Sequence, residues 1–539
     1  MTQPWYEAAL KETRTWLFDH KARLLDDGAA AMPRSLRRRV GQAHLLPVGW
    51  KCSPEIVLFL RPAFPDVEPL VFLPGDAPSS RLIPHVNRSG QVCCLPPESA
   101  VNPFKPVEIL ETVLNTARNI LEREYSPEEL LREILPELQA YWHPSDTPCW
   151  LLQPSLAMSH QLVHVRALPR PTPEGVAHLA ALDGSLEKHA TTAVVLEVAR
   201  DQVAAFVHDP VPTLWGMPDW RAGLNRLGEF AANHHGKRIR AAVLAGYRLP
   251  EGMVWMGGYF DQQLKLGRHG HREFAQTAQS FLMPERFVRC NVQDISTCRL
   301  LRRTAGNDAM GREETKLALI GCGALGGFVV DVLARHGFGQ LLCVDKEDLH
   351  PANLARHVLG WPWLFRNKAE GIADRVRSHA PNTLVGFEPD DFRSPNTWKR
   401  LVEFEAAVTI MATGDINAEL TLSRVCAAGE IGACVFTWLE PNLSGAHLIY
   451  QPRGGPTIEA LHEADASGKL RYRHRILEKP EEFIRREAGC QTAFTPFAGA
   501  DVALFSALAA RKILAWLSAP PDRLTVLRWK PETGWEELP

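Results

Sequence analysis

The apolar positions of this chain are most regularly spaced in its C-terminal half. The apolar run at 317–320 is typical of a buried parallel strand, and it breaks into the glycine-rich hexapeptide 321–326. An amphipathic helix is predicted next, ending at Gly337, and a second apolar run at 341–344 stops at Asp345. Strand, glycine turn, helix, strand and acid in this order predict a nucleotide-binding βαβ unit.

The glycines of this turn have separate expected roles. Gly321 allows the tight turn, Gly323 lets a phosphate approach the backbone, and Gly326 lets the helix pack closely on the strand. The helix N-terminus supplies free N–H groups and a partial positive charge. Asp345 is placed to accept hydrogen bonds from ribose hydroxyls.

Taken alone, the pattern most often indicates NAD or FAD, but the residues that follow favour ATP used as a reactant. Arg356 and Lys368 come soon after the ribose acid, where a triphosphate must be held and its leaving pyrophosphate neutralised. A further apolar strand at 407–411 leads to Asp415, a carboxylate suited to Mg²⁺ at the carboxyl edge of the sheet.

The order G-x-G-x-x-G, D-x-x-D, N-L-x-R-H, lysine and a strand ending in aspartate resembles the adenylation domain of ubiquitin-activating enzymes and their bacterial ThiF/MoeB-like relatives. The resemblance implies an ATP- and Mg²⁺-dependent enzyme, with Asn353 among the nucleotide-binding residues. It also implies a homodimer, in which Arg302 or Arg303 reaches the γ-phosphate of the other subunit.

The N-terminal quarter predicts a smaller α+β domain. A helix is expected over 4–26, strands at 39–46 and 56–60, and a long helix at 107–122. Ser126 is expected to cap the next helix, with proline and acids in its first turn. Residues 1–145 resemble a ubiquitin-conjugating enzyme core in the Pro-rich turn around Phe64-Pro65 and Pro69-Leu70-Val71, in His85 and Asn87, and in Cys93 three residues after Gly90.

This resemblance implies a cysteine nucleophile that carries a thioester. Glycine spacing indicates Cys93 and leucine spacing indicates Cys94, and Cys93 is favoured. Asn87 is the expected amide donor to the developing oxyanion. The sequence departs from the family because Val86 replaces a proline and the loop to the cysteine is short.

The remaining segments carry less information. Residues 150–300 show a mixed α/β pattern without a motif, with strands expected at 163–166, 193–198, 203–207, 241–247 and 254–259 and helices at 220–235 and 273–281. The charged stretch 451–489 leads to Cys490 and an Ala-rich helix at 498–517, and a last strand is expected at 524–529. In ubiquitin-activating relatives the corresponding loop carries or precedes the thioester cysteine, which implies that role for Cys490.

The composition of the chain argues against several classes of protein and partner. A 539-residue chain with 45% hydrophobic and 23% charged residues indicates several soluble domains, and a net charge of −2 favours neither nucleic acid nor membrane partners. No apolar run or N-terminal segment indicates a membrane span or a signal peptide. Eleven cysteines without a CxxC pair indicate a cytoplasmic protein and no zinc.

These patterns predict an α/β multidomain protein with a ubiquitin-conjugating-like domain at 1–148 and a mixed α/β linker domain, or degenerate adenylation half, at 149–305. A Rossmann-like ThiF adenylation domain follows at 306–539, with a cysteine-bearing crossover loop at 451–495. The whole resembles bacterial fusions of these two domains that accompany cGAS-like nucleotidyltransferases in anti-phage (CBASS) operons. The resemblance implies that a protein C-terminal tail, expected to involve such a nucleotidyltransferase, is adenylated, moved to Cys490, passed to Cys93 or Cys94 and ligated to an amine.

Three other functions stay open at this point. A sulfur-carrier adenylyltransferase would use the C-terminal half alone, so its activity would survive removal of residues 1–145. An NAD-dependent oxidoreductase would explain the glycine turn but not Arg356, Lys368 or the cysteine-bearing domain. A non-catalytic scaffold would tolerate loss of Asp415 and Cys490.

Overall fold

A computed structural model describes most of the chain, which divides into two compact units, residues 1–167 with 174–295 and residues 168–173 with 296–539. Cys490, Arg303 and the predicted elements at 39–46 and 273–281 lie outside the described residues. The described residues are 4–24, 49–52, 55–60, 63–73, 82–95, 101–142, 149–153, 162–165, 178–181, 190–220, 222–225, 239–250, 252–264, 282–302, 312–464, 468, 470–486 and 493–539.

The first unit begins with a helix and an antiparallel sheet. Helix α1 (Pro4–Asp19) precedes five strands in the order β1-β2-β3-β4-β5, which are Arg23–Leu24, Gly49–Cys52, Ile56–Phe59, Leu70–Phe72 and Gln91–Val92. Helix α2 (Pro106–Glu122) buries residues at helical spacing, among them Ile109, Val113 and Ala117, in one core with residues of β3 and β4. Helix α3 (Pro127–Ile134) starts at Ser126 with a full capping box, which confirms that expectation.

A closed barrel follows in the same unit. Its strand order is β10-β11-β12-β6-β8-β7-β9, with β6 Cys149–Gln153, β7 Leu162–Val165, β8 His178–Ala181, β9 Ala190–Glu197, β10 Ile239–Leu249, β11 Gly252–Leu264 and β12 Phe287–Asp294. The strand predicted at 203–207 is wrong, because these residues form helix α5 (Val203–His208). That helix buries Val203, Phe206 and Val207 at helical spacing, a pattern that a five-residue apolar run cannot distinguish from a strand.

The segment 127–142 joins the two parts of this unit. After α3 it continues through a 3₁₀ turn into the short helix α4 (Leu138–Trp142). The indole N–H of Trp142 donates to the carbonyls of Gly257 (2.8 Å) and Cys290 (3.2 Å), and its ring stacks on Phe206 with a centroid distance of 5.1 Å. By packing, α4 therefore belongs to the core of the barrel.

The second unit is a doubly wound sheet with helices on both faces. The strand order is β15-β14-β13-β16-β17-β18-β23-β24, parallel from β15 to β17 and antiparallel from there on. The strands are β13 Lys316–Ile320, β14 Gln340–Val344, β15 Leu384–Glu388, β16 Val408–Met411, β17 Ala433–Leu439, β18 Ala446–Gln451, β23 Thr525–Lys530 and β24 Gly534–Leu538. The last strand, β24, was not predicted from the sequence.

The remaining described helices are α6 Pro210–Gly216, α7 Thr297–Leu301, α8 Ala324–Ala334, α9 Lys368–His379, α10 Pro395–Phe404, α11 Ile416–Ala427 and α12 Gly499–Ser518. Two small antiparallel sheets of two strands each follow β18, formed by β19 His462–Ala464 with β20 Leu470–Tyr472, and by β21 Arg485–Arg486 with β22 Ala493–Phe494. Across the part of the chain that the structure describes, no helix is long and apolar enough to cross a membrane.

Candidate active sites

The glycine turn connects β13 to α8 and is tightly packed at two of its three glycines. Gly321 has a φ of +91°, and a Cβ there would lie 2.9 Å from the backbone of Ala412, at the end of β16. A Cβ on Gly326 would lie 2.0 Å from the Gly321 carbonyl oxygen. A Cβ on Gly323 would meet nothing within 4 Å, so this glycine leaves the approach to the N-terminus of α8 open. The turn therefore fits a phosphate group at Gly323.

Asp345 directly follows β14 and lies beside this turn. Its Oδ2 accepts from the N–H of Cys322 at 2.7 Å and its Oδ1 accepts from the N–H of Glu347 at 2.8 Å. Burial raises the pKa of this carboxyl group, while the nearby Lys368 ammonium opposes the rise. Each carboxylate oxygen has a second acceptor position, so Asp345 keeps the capacity to accept from a ribose hydroxyl.

Lys368 opens helix α9 and is 6% exposed. Its Nζ pairs with Glu347 Oε2 at 2.6 Å, and this ion pair lowers the pKa of Glu347. The preceding Asn367 caps α9 and donates from Nδ2 to the Asp345 carbonyl at 2.8 Å. The fold thus places a buried ammonium group next to the residues that follow Asp345.

Asn353 and Arg356 lie in the 3₁₀ segment Pro351–Arg356 between β14 and α9. Asn353 Oδ1 accepts from the N–H of His350 at 3.0 Å. The half-buried Arg356 donates from its guanidinium to the Ala352 carbonyl at 2.9 Å and lies over the ring of Phe497, 5.4 Å from its centroid. Arg356 is therefore held by this segment and by the residues before α12.

His357 is a residue of this site whose role the sequence did not reveal. Its Nδ1 accepts from the N–H of Leu359 at 3.0 Å, so the proton is on Nε2, which donates to the Cys322 carbonyl at 2.9 Å. Burial lowers the pKa of His357 to about 4. The neutral ring supports the glycine turn through its hydrogen bond to the Cys322 carbonyl. In the sequence, only its position directly after Arg356 indicated a role.

Asp415 follows β16 and caps helix α11. Its Oδ1 accepts from the N–H groups of Asn417 (3.0 Å) and Ala418 (3.3 Å). One turn later, Glu419 is 2% exposed, its Oε1 has no partner, and burial and Asp415 raise its pKa to about 7. Because β13, β14 and β16 are adjacent and parallel, the glycine turn, Asp345 and Asp415 share the carboxyl edge of the sheet.

A further arginine lies at the same edge, and no sequence motif indicated it. Arg393, in the loop after β15, binds both oxygens of Asp391 at 2.8 and 2.7 Å, and Asp391 also accepts from Lys346 at 3.1 Å. The hydrogen bonds and charge of Asp391 raise the pKa of Arg393, and the charge of Asp415 adds a smaller contribution in the same direction. Over the ranges that the structure describes, no group of three or more His, Cys, Asp or Glu side chains could hold a metal ion by itself. Asp415 nevertheless suits Mg²⁺ carried by a nucleotide, which usually takes one or two carboxylates.

The second candidate site surrounds Cys93, just after β5. The Cys93 side chain is exposed, and its N–H donates to the His85 carbonyl at 2.7 Å. Cys94 is half-buried against the core of this domain, and its thiol points to the Val92 carbonyl at 3.6 Å. Burial, with a contribution from Cys93, raises the pKa of Cys94 to about 12.

Asn87 lies in the turn between His85 and Cys93. Its Oδ1 accepts from the N–H and Oγ of Ser89 (3.0 and 2.8 Å) and from the N–H of Gln91 (3.1 Å). Its Nδ2 donates only at 3.5 Å, to Gln91 Oε1. The carbonyl end is therefore fixed by the turn, whereas the NH₂ end retains donor capacity.

His85 is held by the segment 127–142. It has a φ of +62°, its N–H donates to the Tyr141 hydroxyl at 2.8 Å, and that hydroxyl donates to Glu137 Oε2 at 2.9 Å. The His85 ring faces two carboxylates, with Nδ1 3.3 Å from Glu137 Oε1 and Nε2 3.9 Å from Glu133 Oε2. None of these helical partners carried a sequence motif.

Arg88 attaches the same turn to the barrel side of the unit. Its N–H donates to the Ala140 carbonyl at 2.9 Å, and its half-buried side chain lies near the charged groups of Asp209 and Arg289. Burial lowers the pKa of Arg88, and Asp209 opposes that shift. The turn that carries Asn87 is thus fixed on α4.

Cys490, the predicted second thioester position, lies outside the described residues. Nearby in sequence, the stretch after β20 is anchored by Glu440, which accepts from the N–H groups of Ile476 (2.7 Å) and Leu477 (2.8 Å) and binds the buried His447 at 2.7 Å. Arg302, the described member of the upstream arginine pair, follows α7 and is exposed.

Two family models match the chain, the ThiF family over residues 301–528 and prokaryotic E2 family B over residues 32–147. The C-terminal part of the chain is therefore similar to the ThiF family and its N-terminal part to prokaryotic E2 family B. This pairing confirms both the predicted fold class and the resemblance to fusions of a ubiquitin-activating and a ubiquitin-conjugating domain.

Three named relatives show partial similarity to this chain. The chain is similar to the ATP-dependent ubiquitin transferase-like protein Cap2 of Pseudomonas aeruginosa, with 27% identity over 42% of this chain and 41% of that protein. It is also similar to Cap2 of Escherichia coli, with 33% identity over 18% and 17%. A tRNA threonylcarbamoyladenosine dehydratase of Haemophilus influenzae is 27% identical over 23% of this chain and 48% of that protein. The chain spans less than half the length of each of these curated relatives.

Proposed function

We propose that this protein is an ATP-dependent transferase that activates the C-terminal carboxylate of a protein and conjugates it to an amine. The observation that supports this most strongly is the presence, in one chain, of a glycine turn with Lys368 and Asp415 nearby and of an exposed cysteine on an E2-family loop. Neither feature alone would separate this activity from other nucleotide chemistry.

Activation comes first, because a free carboxylate is a poor acyl donor and its adenylate is a good one. The turn at Gly321, Gly323 and Gly326 would hold the phosphates of ATP together with Arg356 and Lys368. Asp345 would accept from the ribose, with Asn353 beside the nucleotide. Asp415 would hold Mg²⁺ against the leaving pyrophosphate, and the resulting acyl-adenylate carries the activated tail.

Two thioesters would follow. Cys490 would attack the adenylate and release AMP, and Cys93 would then take the acyl group by transthiolation. The exposure of Cys93 and the packing of Cys94 against the core support Cys93 as the conjugating nucleophile. The NH₂ group of Asn87 would donate to the oxyanion that forms at the Cys93 thioester.

We also propose the protein partners and the biological process in which this enzyme acts. The relatives named Cap2 support a role in CBASS anti-phage defence, in which a cGAS-like nucleotidyltransferase encoded alongside would be the protein conjugated or primed. A cytoplasmic homodimer formed through the adenylation domain would be the working assembly, with Arg302 or Arg303 reaching the other subunit's nucleotide.

A second candidate is an adenylating enzyme that works without the N-terminal domain, such as a sulfur-carrier adenylyltransferase. The similarity to a dehydratase, which is confined to under a quarter of this chain, favours it. Deletion of residues 1–148 separates the two, because only the conjugating enzyme would lose product formation while it retains ATP–pyrophosphate exchange.

The direct test of the proposed function is ATP–pyrophosphate exchange by the full chain, supplied with the products of neighbouring genes. Exchange should require a protein with a free C-terminal carboxylate and should be lost in Asp415→Ala. Exchange that is independent of any protein substrate, or NAD reduction without exchange, would contradict the proposal.

A further inference from the structure

The surroundings of Cys93 contain a group of side chains that the proposed thioester relay does not use. Glu137, Tyr141 and Glu133 come from the segment 127–142, and His85 comes from the turn opposite. We propose that Glu137, positioned by Tyr141 and His85, binds the incoming ammonium group and accepts its proton before the amine attacks the Cys93 thioester. This inference rests on the proposed function, since it assigns the amine side of the same site.

Glu137 is fixed in orientation although it is accessible. Its side chain is 38% exposed, so solvent and a substrate can reach it. The Tyr141 hydroxyl donates to Oε2 at 2.9 Å, and His85 Nδ1 lies 3.3 Å from Oε1. Each oxygen is thus contacted once by the protein and keeps a further acceptor position for an ammonium N–H.

Glu137 also lies close to the Cys93 thiol. The two residues share His85 as a neighbour, because the His85 carbonyl accepts from the Cys93 N–H at 2.7 Å while the His85 ring faces Glu137. Their proximity also has an electrostatic effect. Although the Cys93 side chain is exposed to solvent, the protein atoms around its thiol partly exclude water, and this desolvation first and the Glu137 charge second raise the pKa of the thiol.

This charge has the wrong sign for a group that activates the thiol. A carboxylate beside a cysteine disfavours the thiolate, whereas reactive cysteines usually lie near positive charge. The same carboxylate favours a cation, and a lysine side chain is protonated at neutral pH and has no lone pair for attack. The arrangement therefore suits the acceptor amine, with Glu133 adding a second negative charge one turn before Glu137.

The proton balance is complete without a further reactant. The ammonium group transfers one proton to Glu137, and the freed lone pair attacks the thioester carbonyl carbon. A C–N bond forms, the C–S bond breaks, and the Cys93 sulfur leaves with the electron pair. The second proton lost by nitrogen goes to that sulfur, and Glu137 releases its proton to water, which yields an amide and a free thiol.

Tyr141 acts as a positioning residue in this scheme. It is 2% exposed, and burial together with the Glu137 charge raises its pKa, so its hydroxyl remains protonated and donates to Glu137. The titratable groups that face Glu137 are His85 and Cys93 from the turn and Glu133 and Tyr141 from the helical segment.

The test uses the full-length chain with Cys93 loaded chemically, by exchange with a fluorescent diglycine peptide thioester and with Cys93→Ala as the blank. After removal of excess probe, discharge is followed by mass spectrometry with either L-lysine or hydroxylamine, an amine that is unprotonated at pH 7. Glu137→Gln is compared with Glu128→Gln, an exposed glutamate on α3.

Glu137→Gln should load normally, discharge to lysine at least tenfold more slowly at pH 7, and discharge to hydroxylamine at the wild-type rate. The lysine defect should shrink as the pH rises towards 9.5, where more lysine is already unprotonated. Tyr141→Phe should give a smaller defect with the same pH dependence, and Glu128→Gln none.

Unchanged lysine discharge in Glu137→Gln would overturn the inference, and so would equal slowing with both nucleophiles, which would indicate a distorted site. Failure of the wild-type chain to load would also overturn it. ATP-dependent loading is measured separately, so a chain that discharges as expected after chemical loading but never loads from ATP would contradict the proposed function alone.

Discussion

The two candidate sites of this chain are built in different ways. The glycine-turn site is assembled from the ends of adjacent parallel strands, and its geometry depends on backbone atoms at Gly321, Gly323 and Gly326. The Cys93 site is a short turn held from outside by side chains of the segment 127–142, above all Tyr141 and Glu137. The glycine-turn site is part of a sheet edge, whereas the Cys93 site depends on side chains from the neighbouring segment 127–142.

Because the two sites are built differently, different changes should damage them. Changes to backbone packing should damage the glycine-turn site directly, while the Cys93 site should fail when its supporting helix loses its place in the barrel. Trp142 connects α4 to that barrel, and His357 supports the glycine turn. Substitution of either residue therefore tests how its site is held in place without changing a residue that is predicted to react.

The largest expected effect is that of Trp142→Ala. This change removes the stack on Phe206, two hydrogen bonds to barrel carbonyls and the contact of Arg289 with the ring, at a cost of about 3–5 kcal/mol in the free energy of unfolding. Thermal unfolding should show the loss of stability, and Cys93 should be alkylated faster than in the wild-type chain. Trp361→Ala, at a tryptophan that is 76% exposed, should be near neutral. A loss of stability without any change at Cys93 would break the proposed dependence of that site on α4.

His357 gives the next largest effect, through pH. Its pKa is about 4 in the folded protein against 6.5 in the unfolded chain, so between these two pH values the folded state binds fewer protons than the unfolded state, and stability falls as the pH falls. The contribution is complete above about pH 6.5 and is lost down to about pH 4, which amounts to about 3 kcal/mol. Urea unfolding of the adenylation-domain transition at pH 7.5 and pH 5 should show this slope, and His357→Gln should flatten it. An unchanged slope in the variant would assign the pH dependence elsewhere.

Gly326 and Gly323 form a matched pair in the glycine-turn site. Gly326→Ala places a Cβ against the Gly321 carbonyl and should cost about 1–3 kcal/mol of stability. Gly323→Ala meets no protein atom, so it should fold normally and raise the KM for ATP in pyrophosphate exchange. Equal thermal destabilisation by both changes would contradict the assignment of packing to one glycine and ligand approach to the other.

Asp415 gives the smallest stability effect and the clearest chemical one. Asp415→Ala removes the cap of α11 and should cost about 1 kcal/mol, whereas Asp415→Asn retains a capping acceptor and should cost little. Both should lose pyrophosphate exchange if the carboxylate is needed for Mg²⁺. Retained exchange in Asp415→Asn would show that capping is the whole role of this residue.

The contrast between the sites also explains what the sequence could predict. The turn from Gly321 to Asp345 was predictable because strand, glycines, helix and acid are consecutive in the chain and each has a local physical cause. His357 was not, because its task depends on a ring buried under Cys322.

Around Cys93 the same limit is stronger. His85, Asn87 and Cys93 stood out by spacing, but Glu137 and Tyr141 reach the turn from a helix whose residues look like any amphipathic surface. The barrel was beyond prediction for a related reason, since its parallel β9–β10 pair joins residues about fifty apart, and the run 203–207 was compatible with either strand or helix.

The proposed relay is tested by detection of the two thioesters on the full chain, incubated with ATP and the products of neighbouring genes and analysed with and without reductant. A relay through both cysteines predicts a reducible adduct that requires ATP, is absent in Cys490→Ala, and stays on Cys490 in Cys93→Ala. An adduct independent of both cysteines, or no adduct under any of these conditions, would contradict it.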